Sequence, residues 1–319
     1  MRRAAALLLA TAAACSGREP PSEIATLQAP VYDDAFAQVW RDGRAELAGY
    51  DLVTPRYDEL RHGVAVTIFV TEDFADGPRV KADPGKHPEH QVFPVLKLNL
   101  MKDFSTGIYD YNLMTSAFIA LAPVHERPAG FATKVAFSAQ EWCGMTYQQV
   151  AFDRHAVRSS SHSYFDGEAD KNETLAYPDT GMASEALYAW ARGLAAPVLG
   201  PGESRQVRLL RGLETVRLRH QPLVWERATL SRLPDKATIE VRGTSYEVDV
   251  LTAHVEGGDT TTFYVETAPA RRIVKWLRSN GEVAELVKSD RLTYWELNGA
   301  GKESYLERLG LTPRRPLTP

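Results

Sequence analysis

The chain has 319 residues, a net charge of −4 at pH 7 and 44% hydrophobic residues. This composition supplies enough apolar side chains for a full core, and its slightly acidic balance argues against nucleic acid as a partner. Beyond the first 15 residues, no apolar run is long enough to span a membrane as a helix.

Residues 1–15, MRRAAALLLATAAAC, have the pattern of a bacterial secretory signal peptide. Two arginines precede an apolar run that is too short to span a membrane. Cys15 follows three alanines, so the segment resembles a lipoprotein signal peptide whose cysteine is acylated after cleavage; an ordinary signal peptide cut nearby is the alternative. A serine follows Cys15, which by resemblance to sorted lipoproteins indicates the outer membrane, facing the periplasm. The membrane is thus an expected partner, through the lipid on Cys15.

The next segments change from a tether to period-two patterns. Residues 16–30 are small, polar and contain prolines, which predicts a flexible tether. Residues 31–45 carry apolar side chains at near-helical spacing and predict a short helix. Residues 46–57 and 62–74 predict two strands joined by a charged turn, because they alternate and are rich in β-branched residues. Prolines, glycines and histidines make residues 76–91 a predicted surface loop.

The most regular alternation lies in residues 93–104. Leu96, Leu98 and Leu100 fall on one face and the intervening residues on the other, which predicts a half-buried strand. The apolar residues 106–121 predict either a strand buried on both faces or a strand that continues into a helix.

Three short segments then read as successive strands with tight turns, at residues 133–139, 142–152 and 156–165. Residues 166–180 are polar and predict a loop. The turns between the strands are short enough for antiparallel hairpins.

Residues 184–194 have the clearest helical pattern, with Ser184 as a plausible N-cap and Trp190 in an apolar stripe. From residue 205 to 297, strand-like segments recur at roughly ten-residue spacing with explicit turns between them, and residues 215–223 are included as one of these strands. Hairpins without intervening helices indicate an antiparallel meander.

The predicted fold class is mainly β (α+β): a large curved antiparallel meander or half-barrel with one packed helix and short terminal helices. A sheet of more than about ten strands must curl or split. We expect one β-rich domain over residues 31–311, with 31–180 and 181–311 as alternative sub-blocks. Residues 302–310 predict a closing helix, and residues 312–319 predict a disordered tail.

Cys143 is the one cysteine left if Cys15 is acylated, and it suggests a candidate nucleophile. His155 or His162 would then be the base, and Glu141 or Asp153 the orienting group. A predicted strand through this segment instead places Glu141 and Cys143 on one face and favours a buried packing thiol. A redox role for Cys143 is a third alternative.

A loop with His87, His90 and Asp83 raises the question of a metal site. Because a third strong ligand is missing nearby, the interpretation as a solvated loop is favoured. No motif indicates a cofactor, so neither a metal nor a cofactor is expected.

Four aromatic residues are candidates for binding an apolar ligand: Tyr109, Tyr111, Trp142 and Trp190. The concave face of a curved sheet must be filled by side chains, by a helix or by a ligand. The alternative is that these side chains are ordinary core residues.

Two strings, FSTGIYDYNLMTSAF (residues 104–118) and SAQEWCG (residues 138–144), resemble a family of uncharacterised secreted bacterial lipoproteins. The resemblance implies export and a lipid anchor, and it transfers no catalytic residue. The closing pattern over residues 272–298 resembles the last hairpins of periplasmic curved-sheet proteins that hold lipid or lipoprotein chains.

These observations predict a lipid-anchored envelope lipoprotein that binds an apolar small molecule or acts as a scaffold for an envelope protein. The alternative is a hydrolase or transferase that uses Cys143 with Glu141. Exposure of Cys143 and its distance from histidines distinguish the two classes.

Overall fold

The computed structural model describes residues 27–313 and is mainly β. The predicted signal peptide, Cys15 and the tail from residue 314 lie outside the described residues. The predicted fold class is confirmed: the strands form one large, curved, unclosed sheet that is almost entirely antiparallel, with few short helices.

The strands that the structure describes all belong to this sheet. In chain order they are β1 (Ala45–Arg56), β2 (Glu59–Ala75), β3 (Val80–Lys81), β4 (Val92–Thr106), β5 (Tyr109–Ala120), β6 (Ala132–Glu141), β7 (Gly144–Phe152), β8 (Ala156–Ser163), β9 (Lys171–Ala176), β10 (Gly181–Ala183), β11 (Ser204–Leu210), β12 (Trp225–Arg232), β13 (Ala237–Val241), β14 (Thr244–Val255), β15 (Thr260–Glu266), β16 (Ile273–Arg278) and β17 (Val283–Leu292).

Helical segments are short. The α-helices within residues 27–313 are α1 (Asp34–Trp40), α2 (Leu187–Ala191) and α3 (Leu213–Leu218). Short 3₁₀ helices occupy Glu89–Gln91, Ser184–Ala186, Tyr294–Glu296 and, over seven residues, Glu303–Leu309. The last of these replaces the predicted closing helix.

The first strand lies in the middle of the sheet. It pairs with β2 on one side and with β17, the last strand, on the other. From β2 the sheet continues through β4 to β9, and from β17 it continues through β16, β15, β14, β12, β11 and β10. The outer strands β9 and β10 stay unpaired with each other, but Trp225 on β12 donates a hydrogen bond to the Ala176 carbonyl on β9 at 2.9 Å. The two halves of the chain therefore curl around a common interior.

Several connections meet at one end of the sheet, which we call the hairpin-tip end. The strand registers place there the turns at residues 57–58, 107–108 and 142–143, the loop at 164–170 and the turn at 279–282. Both residues of the first turn have positive φ angles, 55° and 59°, as a two-residue hairpin turn requires.

The opposite end holds the loops at residues 76–91 and 121–131. Here the described chain enters the sheet, and Leu27 is buried against Phe131 and Ala196. Residues 27–30 were predicted as part of the flexible tether, and the burial of Leu27 shows that the packed structure begins before residue 31.

The interior is filled by side chains from both halves of the sheet and from α2 and α3. Trp190 and Trp276 are 2% and 0% exposed. The Trp190 indole donates a hydrogen bond to the Pro197 carbonyl at 2.9 Å, so its polar atom is satisfied within the core.

The predicted helix at residues 184–194 is shorter than expected. Ser184 does not cap it, because its hydroxyl donates a hydrogen bond to the Leu210 carbonyl at 2.5 Å. The α-helical part ends at Ala191, and Gly193 then takes a φ of 77° that turns the chain away.

Three other segments differ from the sequence prediction. The predicted loop 166–180 contains β9, whose residues are mostly exposed because β9 is an edge strand; it therefore lacks an apolar alternation. The predicted strand 215–223 instead contains most of α3, where Leu213 and Arg217 are buried four residues apart. Residues 106–121 form a turn and β5, with no helix.

The C-terminal segment covers the outer face of the central strands. Leu309 packs with Leu47 and Ile68 there. At Gly49 of β1 a Cβ atom would lie 2.1 Å from the Leu309 carbonyl oxygen, so only glycine allows this close approach.

Candidate functional site

Three of the four candidate aromatic residues meet at the hairpin-tip end. The Tyr109 ring lies 5.9 Å from the Tyr111 ring and 6.5 Å from the Trp142 ring. Tyr111 is fully buried and stacks on Phe104 at 5.0 Å, whereas Trp142 is 71% exposed. Trp190 lies apart, in the core beside α2, so the four residues do not line one cavity.

The Tyr111 hydroxyl is the centre of a hydrogen-bond network. It accepts bonds from Nε and Nη2 of Arg56 at 3.1 and 3.0 Å and lies 2.7 Å from the Tyr57 hydroxyl. Arg56 also donates to the Leu218 carbonyl at the end of α3, at 2.9 Å. Burial, together with a hydrogen bond to Glu141, raises the pKa of Tyr111 above its usual value. The network joins β1, β5 and α3, and it fixes the β1–β2 turn.

Glu141 belongs to the same network. Its carboxylate forms an ion pair with Arg217 of α3, and both side chains are only 2% exposed. The Arg217 guanidinium stacks on the Phe165 ring at 3.7 Å. Glu141 is therefore fully engaged in attaching α3 to the end of β6.

Cys143 is exposed, so the prediction of a buried packing thiol is wrong. Glu141 pairs with Gly144 in the hairpin between β6 and β7, which leaves Trp142 and Cys143 as the two turn residues. Side chains in a tight turn do not alternate between faces, and Glu141 and Cys143 therefore do not share one. The strand prediction failed because the pattern does not locate the turn.

The other members of the predicted nucleophile arrangement lie elsewhere. His155 follows the far end of the nine-residue β7, roughly 30 Å from Cys143 at the rise of an extended strand. His162 pairs with Asp170 at 2.9 Å, and Asp153 pairs with Arg79 at 2.9 Å. No hydrogen bond joins Cys143 to a histidine within residues 27–313. The described residues do not assemble a base for this thiol.

The hairpin-tip end exposes large apolar side chains from four consecutive connections of the sheet. We call them the hairpin-tip surface: Tyr57, Leu60, Ile108, Trp142, Met145 and Tyr164. Ile108 is 85% exposed and Tyr164 is 73% exposed. The Tyr164 ring lies against Gly144, where a Cβ would be 2.4 Å from a ring carbon, so the tips of β7 and β8 are packed together.

Acidic groups predominate around this surface. The carboxylates beside the turns are Asp58, Glu59, Asp110, Asp166, Glu168 and Asp170, and the basic groups there are Arg56, Arg61 and Lys171. Arg217 and Arg219 at the end of α3 are paired with Glu141 and Asp259. An open cleft of about 430 Å³ lies between the first turn and the end of α3, lined by Arg56, Tyr57 and Leu218 among others. The hairpin-tip end thus combines exposed apolar side chains with a negative local charge.

The interior of the curved sheet holds a second unusual group, which we call the ion cluster: Lys102 of β4, Glu214 of α3 and Glu282 before β17. The Lys102 ammonium lies 2.8 Å from Oε2 of Glu282 and 3.0 Å from both oxygens of Glu214. The Trp276 indole donates to the other oxygen of Glu282 at 2.9 Å. The side chains of Lys102 and Glu282 are 2% and 1% exposed.

The cluster keeps its charges despite its burial. Burial opposes ionisation of Glu282, but the charges of Lys102 and Arg278 outweigh it and lower the pKa of Glu282 to about 2. Burial also disfavours the ammonium of Lys102, yet Glu214 and Glu282 hold the pKa of Lys102 above its usual value. Ion pairs among the three charged side chains therefore connect β4, α3 and the β16–β17 turn.

Sequence reasoning missed the ion cluster, although a signal was present. Leu96, Leu98 and Leu100 face the interior, and the same alternation places Lys102 inward as well. A lysine at an inward position of a regular strand requires a buried carboxylate partner. Which carboxylates provide it depends on long-range topology.

Beside the cluster, Glu185 is buried at the start of the α2 region. Its Oε1 accepts a hydrogen bond from the Leu213 backbone nitrogen at 2.7 Å, and its Oε2 has no partner. Burial raises the pKa of Glu185 to about 7. This carboxyl group is consequently a titrating link between the α2 region and α3.

Residues 27–313 contain no group of three or more histidine, cysteine, aspartate and glutamate side chains arranged to hold a metal ion. Within the same range no helix has the length and apolarity needed to cross a membrane. The chain matches no protein-family model, no curated protein and no solved structure. The function must therefore be argued from the site itself.

Proposed function

We propose that this protein is a lipid-anchored scaffold of the bacterial envelope that docks an envelope protein through the hairpin-tip surface. The anchor is the acylated Cys15 in the outer membrane, facing the periplasm. The observation that carries the proposal is the set of large apolar side chains exposed together at one end of the sheet, of which Ile108, Trp142 and Tyr164 are the most exposed.

The composition of this surface supports protein docking. Tyrosine, tryptophan and methionine are enriched in the buried centres of protein interfaces, and exposed apolar patches mark interaction sites. Arg56 and Glu141 hold the tips through the Tyr111 hydroxyl and Arg217, so the surface is fixed before a partner arrives. A preformed surface loses less conformational entropy on binding.

The charge of the hairpin-tip end favours one kind of occupant. Its excess of carboxylates, such as Asp58, Glu59 and Asp166, complements a partner surface that is apolar at its centre and basic at its rim. Anionic lipid headgroups would be repelled. The described chain enters the sheet near Leu27, at the end opposite the hairpin-tip surface.

The alternative functions have less geometric support. Trp190 and Trp276 occupy the interior of the curve, where an apolar ligand was expected to bind. A hydrolase or transferase that uses Cys143 would need a base, and His155 lies at the other end of β7. The scaffold function uses the exposed hairpin-tip surface. It does not require the core to open for a ligand, as the apolar-ligand function does, or a base beside Cys143, as the enzyme function does.

The experiment is site-specific photo-crosslinking in intact cells, with a benzoylphenylalanine probe at position 142 or 108. The matched control carries the probe at position 295, because Trp295 is also exposed, at 45%, but lies away from the tips. We expect one discrete protein adduct from positions 142 and 108 and none from 295.

The adduct's protein component is then purified and titrated with the full-length chain. Trp142→Ser is expected to weaken binding at least about tenfold, as loss of an interface anchor does. Glu59→Lys is expected to slow association at low salt. Equal adducts from position 295, or flotation of the Cys15→Ser variant with phospholipid vesicles, would rule out protein docking at this surface.

The anchor is tested separately. Cys15→Ser is expected to move the protein from the membrane fraction to the soluble periplasmic fraction, because acyl chains provide the membrane affinity. A Ser16→Ala variant, which keeps the cysteine, is the control and should stay with the membranes. If Cys15→Ser still fractionates with membranes, the acylated cysteine is not what holds the protein there.

A further inference from the structure

A cleft of about 180 Å³ opens between α2, α3 and the inner face of strands β11 to β16. It lies on the C-terminal side of the interior, and none of the hairpin-tip surface residues lines it. This volume is below the roughly 300–1,000 Å³ of pockets that hold drug-sized ligands. The cleft therefore suits a small molecule and not a polymer chain.

Three arginines line the cleft, and two of them are each paired with a carboxylate. Arg211 donates to Glu226 at 2.6 and 3.0 Å, and Arg219 donates to Asp259 at 2.8 Å. The Arg278 guanidinium, in contrast, makes no hydrogen bond or salt bridge to any residue in the described part of the chain. None of its nitrogens belongs to the buried atoms that lack a partner, so its donors face the open space of the cleft.

The carboxylates of the ion cluster stabilise the positive charge of Arg278. Burial opposes it, but Glu282 and Glu214 of the ion cluster raise the pKa of Arg278 above its usual value. These carboxylates accept their hydrogen bonds from Lys102 and Trp276. The guanidinium is thus held in its charged form while its planar set of donors stays available.

Apolar and polar side chains line the cleft together. The apolar ones are Leu187, Leu209, Ala253, Val255 and Phe263, and the two carboxylates, Glu226 and Asp259, are paired with Arg211 and Arg219. Small-molecule sites typically combine an apolar lining with a few convergent polar groups. A ligand that matches both features has an anionic planar head and a short hydrocarbon body.

We propose that this cleft binds a small aliphatic carboxylate, whose two oxygens accept paired hydrogen bonds from Arg278 and whose body packs on Val255 and Phe263. Guanidinium and carboxylate match in this two-point geometry, which lysine cannot reproduce. The site is distinct from the hairpin-tip surface, because none of the six side chains that define that surface lines this cleft.

The test is isothermal titration of the full-length protein with hexanoate. Two further probes separate the contributions: hexan-1-ol keeps the body without the carboxylate, and inorganic phosphate keeps an oxyanion without the body. We expect saturable one-to-one binding of hexanoate, at least about tenfold tighter than either probe. Phosphate that binds more tightly than hexanoate, or hexan-1-ol that binds equally well, would overturn the carboxylate assignment.

The key variant is Arg278→Lys, which keeps the positive charge beside the ion cluster and removes the planar donor pair. It should weaken hexanoate binding at least about tenfold. Arg227→Lys is the matched control, since Arg227 is exposed on β12 and outside the cleft, and it should bind as the wild type does. Unchanged affinity in Arg278→Lys would overturn the proposal.

A second variant covers the case in which Arg278→Lys does not fold. Thr215→Phe fills the cleft from α3 without altering any charge. It should abolish the titration signal while the protein keeps its cooperative unfolding. Normal hexanoate binding by Thr215→Phe would place the ligand elsewhere and contradict the site.

Discussion

The hairpin-tip surface and the ion cluster invert the usual distribution of side chains. At the tips, Ile108 and Trp142 expose most of their apolar surface, whereas in the interior Lys102 and Glu282 are almost fully buried with their charges. Apolar surface that stays exposed loses about 25 cal/mol per Å² of the folding free energy that its burial would contribute. Burial of a charge destabilises the folded state by several kcal/mol before any pairing is counted. Neither the exposed apolar side chains nor the buried charges maximise the stability of the fold. We therefore expect function in these two regions.

The two regions are joined by one short helix. Within α3, Glu214 belongs to the ion cluster, Arg217 pairs with Glu141, and the Leu218 carbonyl accepts from Arg56. A buried ion pair is a poor source of net stability but a specific way to fix position. We infer that the cluster positions α3 and that α3 in turn positions the tips.

The largest expected effect comes from breaking the ion cluster. Lys102→Met leaves Glu214 and Glu282 without their cation and should lower the free energy of unfolding by about 3–5 kcal/mol. Lys97→Met is the control on the same strand, because the Lys97–Glu72 pair is more exposed, and it should lose about 1 kcal/mol or less. Urea denaturation followed by tryptophan fluorescence measures both; equal losses would show that the cluster has no special role.

The cluster and Glu185 should respond to pH in opposite directions. The pKa of Glu282 is lowered, so its contribution to stability is present above about pH 4.5 and is lost as the pH falls towards 2. The pKa of Glu185 is raised from 4.5 to about 7, so its contribution is fully present below pH 4.5 and is lost as the pH rises through 7.

Glu185→Gln should remove the loss of stability that accompanies ionisation of Glu185 at rising pH. The neutral amide keeps an acceptor for the Leu213 nitrogen and cannot ionise, so a stability loss of roughly 3 kcal/mol between pH 4.5 and 8 should disappear. Glu240→Gln, at an exposed position of β13, is the control and should retain the wild-type pH profile. If Glu185→Gln follows the wild-type profile, Glu185 does not titrate in this range.

Sequence patterns predicted the curved sheet because alternation and turns are local signals. Leu96, Leu98 and Leu100 defined the inner face of β4, and only the partners of Lys102 depended on distant residues. The strand prediction over α3 failed because Thr215 and Val216 are β-branched and the buried pair spaced four residues apart was overlooked.

The candidate site was harder to predict than the fold. Tyr109, Tyr111 and Trp142 were predicted as ligand-binding candidates, and the structure brings them together at the tips. The sequence could not tell whether these three side chains line an interior cavity or an exposed surface, because their exposure depends on where each hairpin turns. Arg278 carried no sequence signal, because its proposed role follows from the absence of a side-chain partner among residues 27–313.

The network at the tips should show an intermediate effect. Tyr111→Phe removes the acceptor of two Arg56 donors and should cost about 1–3 kcal/mol, as an unsatisfied buried donor does. It should also speed amide hydrogen exchange at Asp58 and Glu59 in the adjacent turn. Tyr57→Phe, which leaves the Arg56 bonds to Tyr111 in place, should cost less; an equal cost would show that Arg56 is not held through Tyr111.

The smallest expected effect is at Cys143. Because this thiol lies in an exposed turn, Cys143→Ala should change the free energy of unfolding by about 0.5 kcal/mol or less, in contrast to Lys102→Met. Native protein should react with a bulky maleimide almost as fast as protein in urea, since no packing shields the sulfur. Slow labelling of the native state would contradict the exposed turn.

The same reaction distinguishes the docking proposal from a passive surface. Mass spectrometry should show one label per wild-type chain and none on Cys143→Ala, because an acylated Cys15 has no free thiol; two labels would contradict acylation.

A protein seated on the hairpin-tip surface lies beside Cys143, because Trp142 is its neighbour in the turn. Binding of the purified crosslinked partner should therefore slow labelling in proportion to occupancy, and Trp142→Ser should restore the fast rate. A partner that binds without slowing the reaction occupies another face of the molecule.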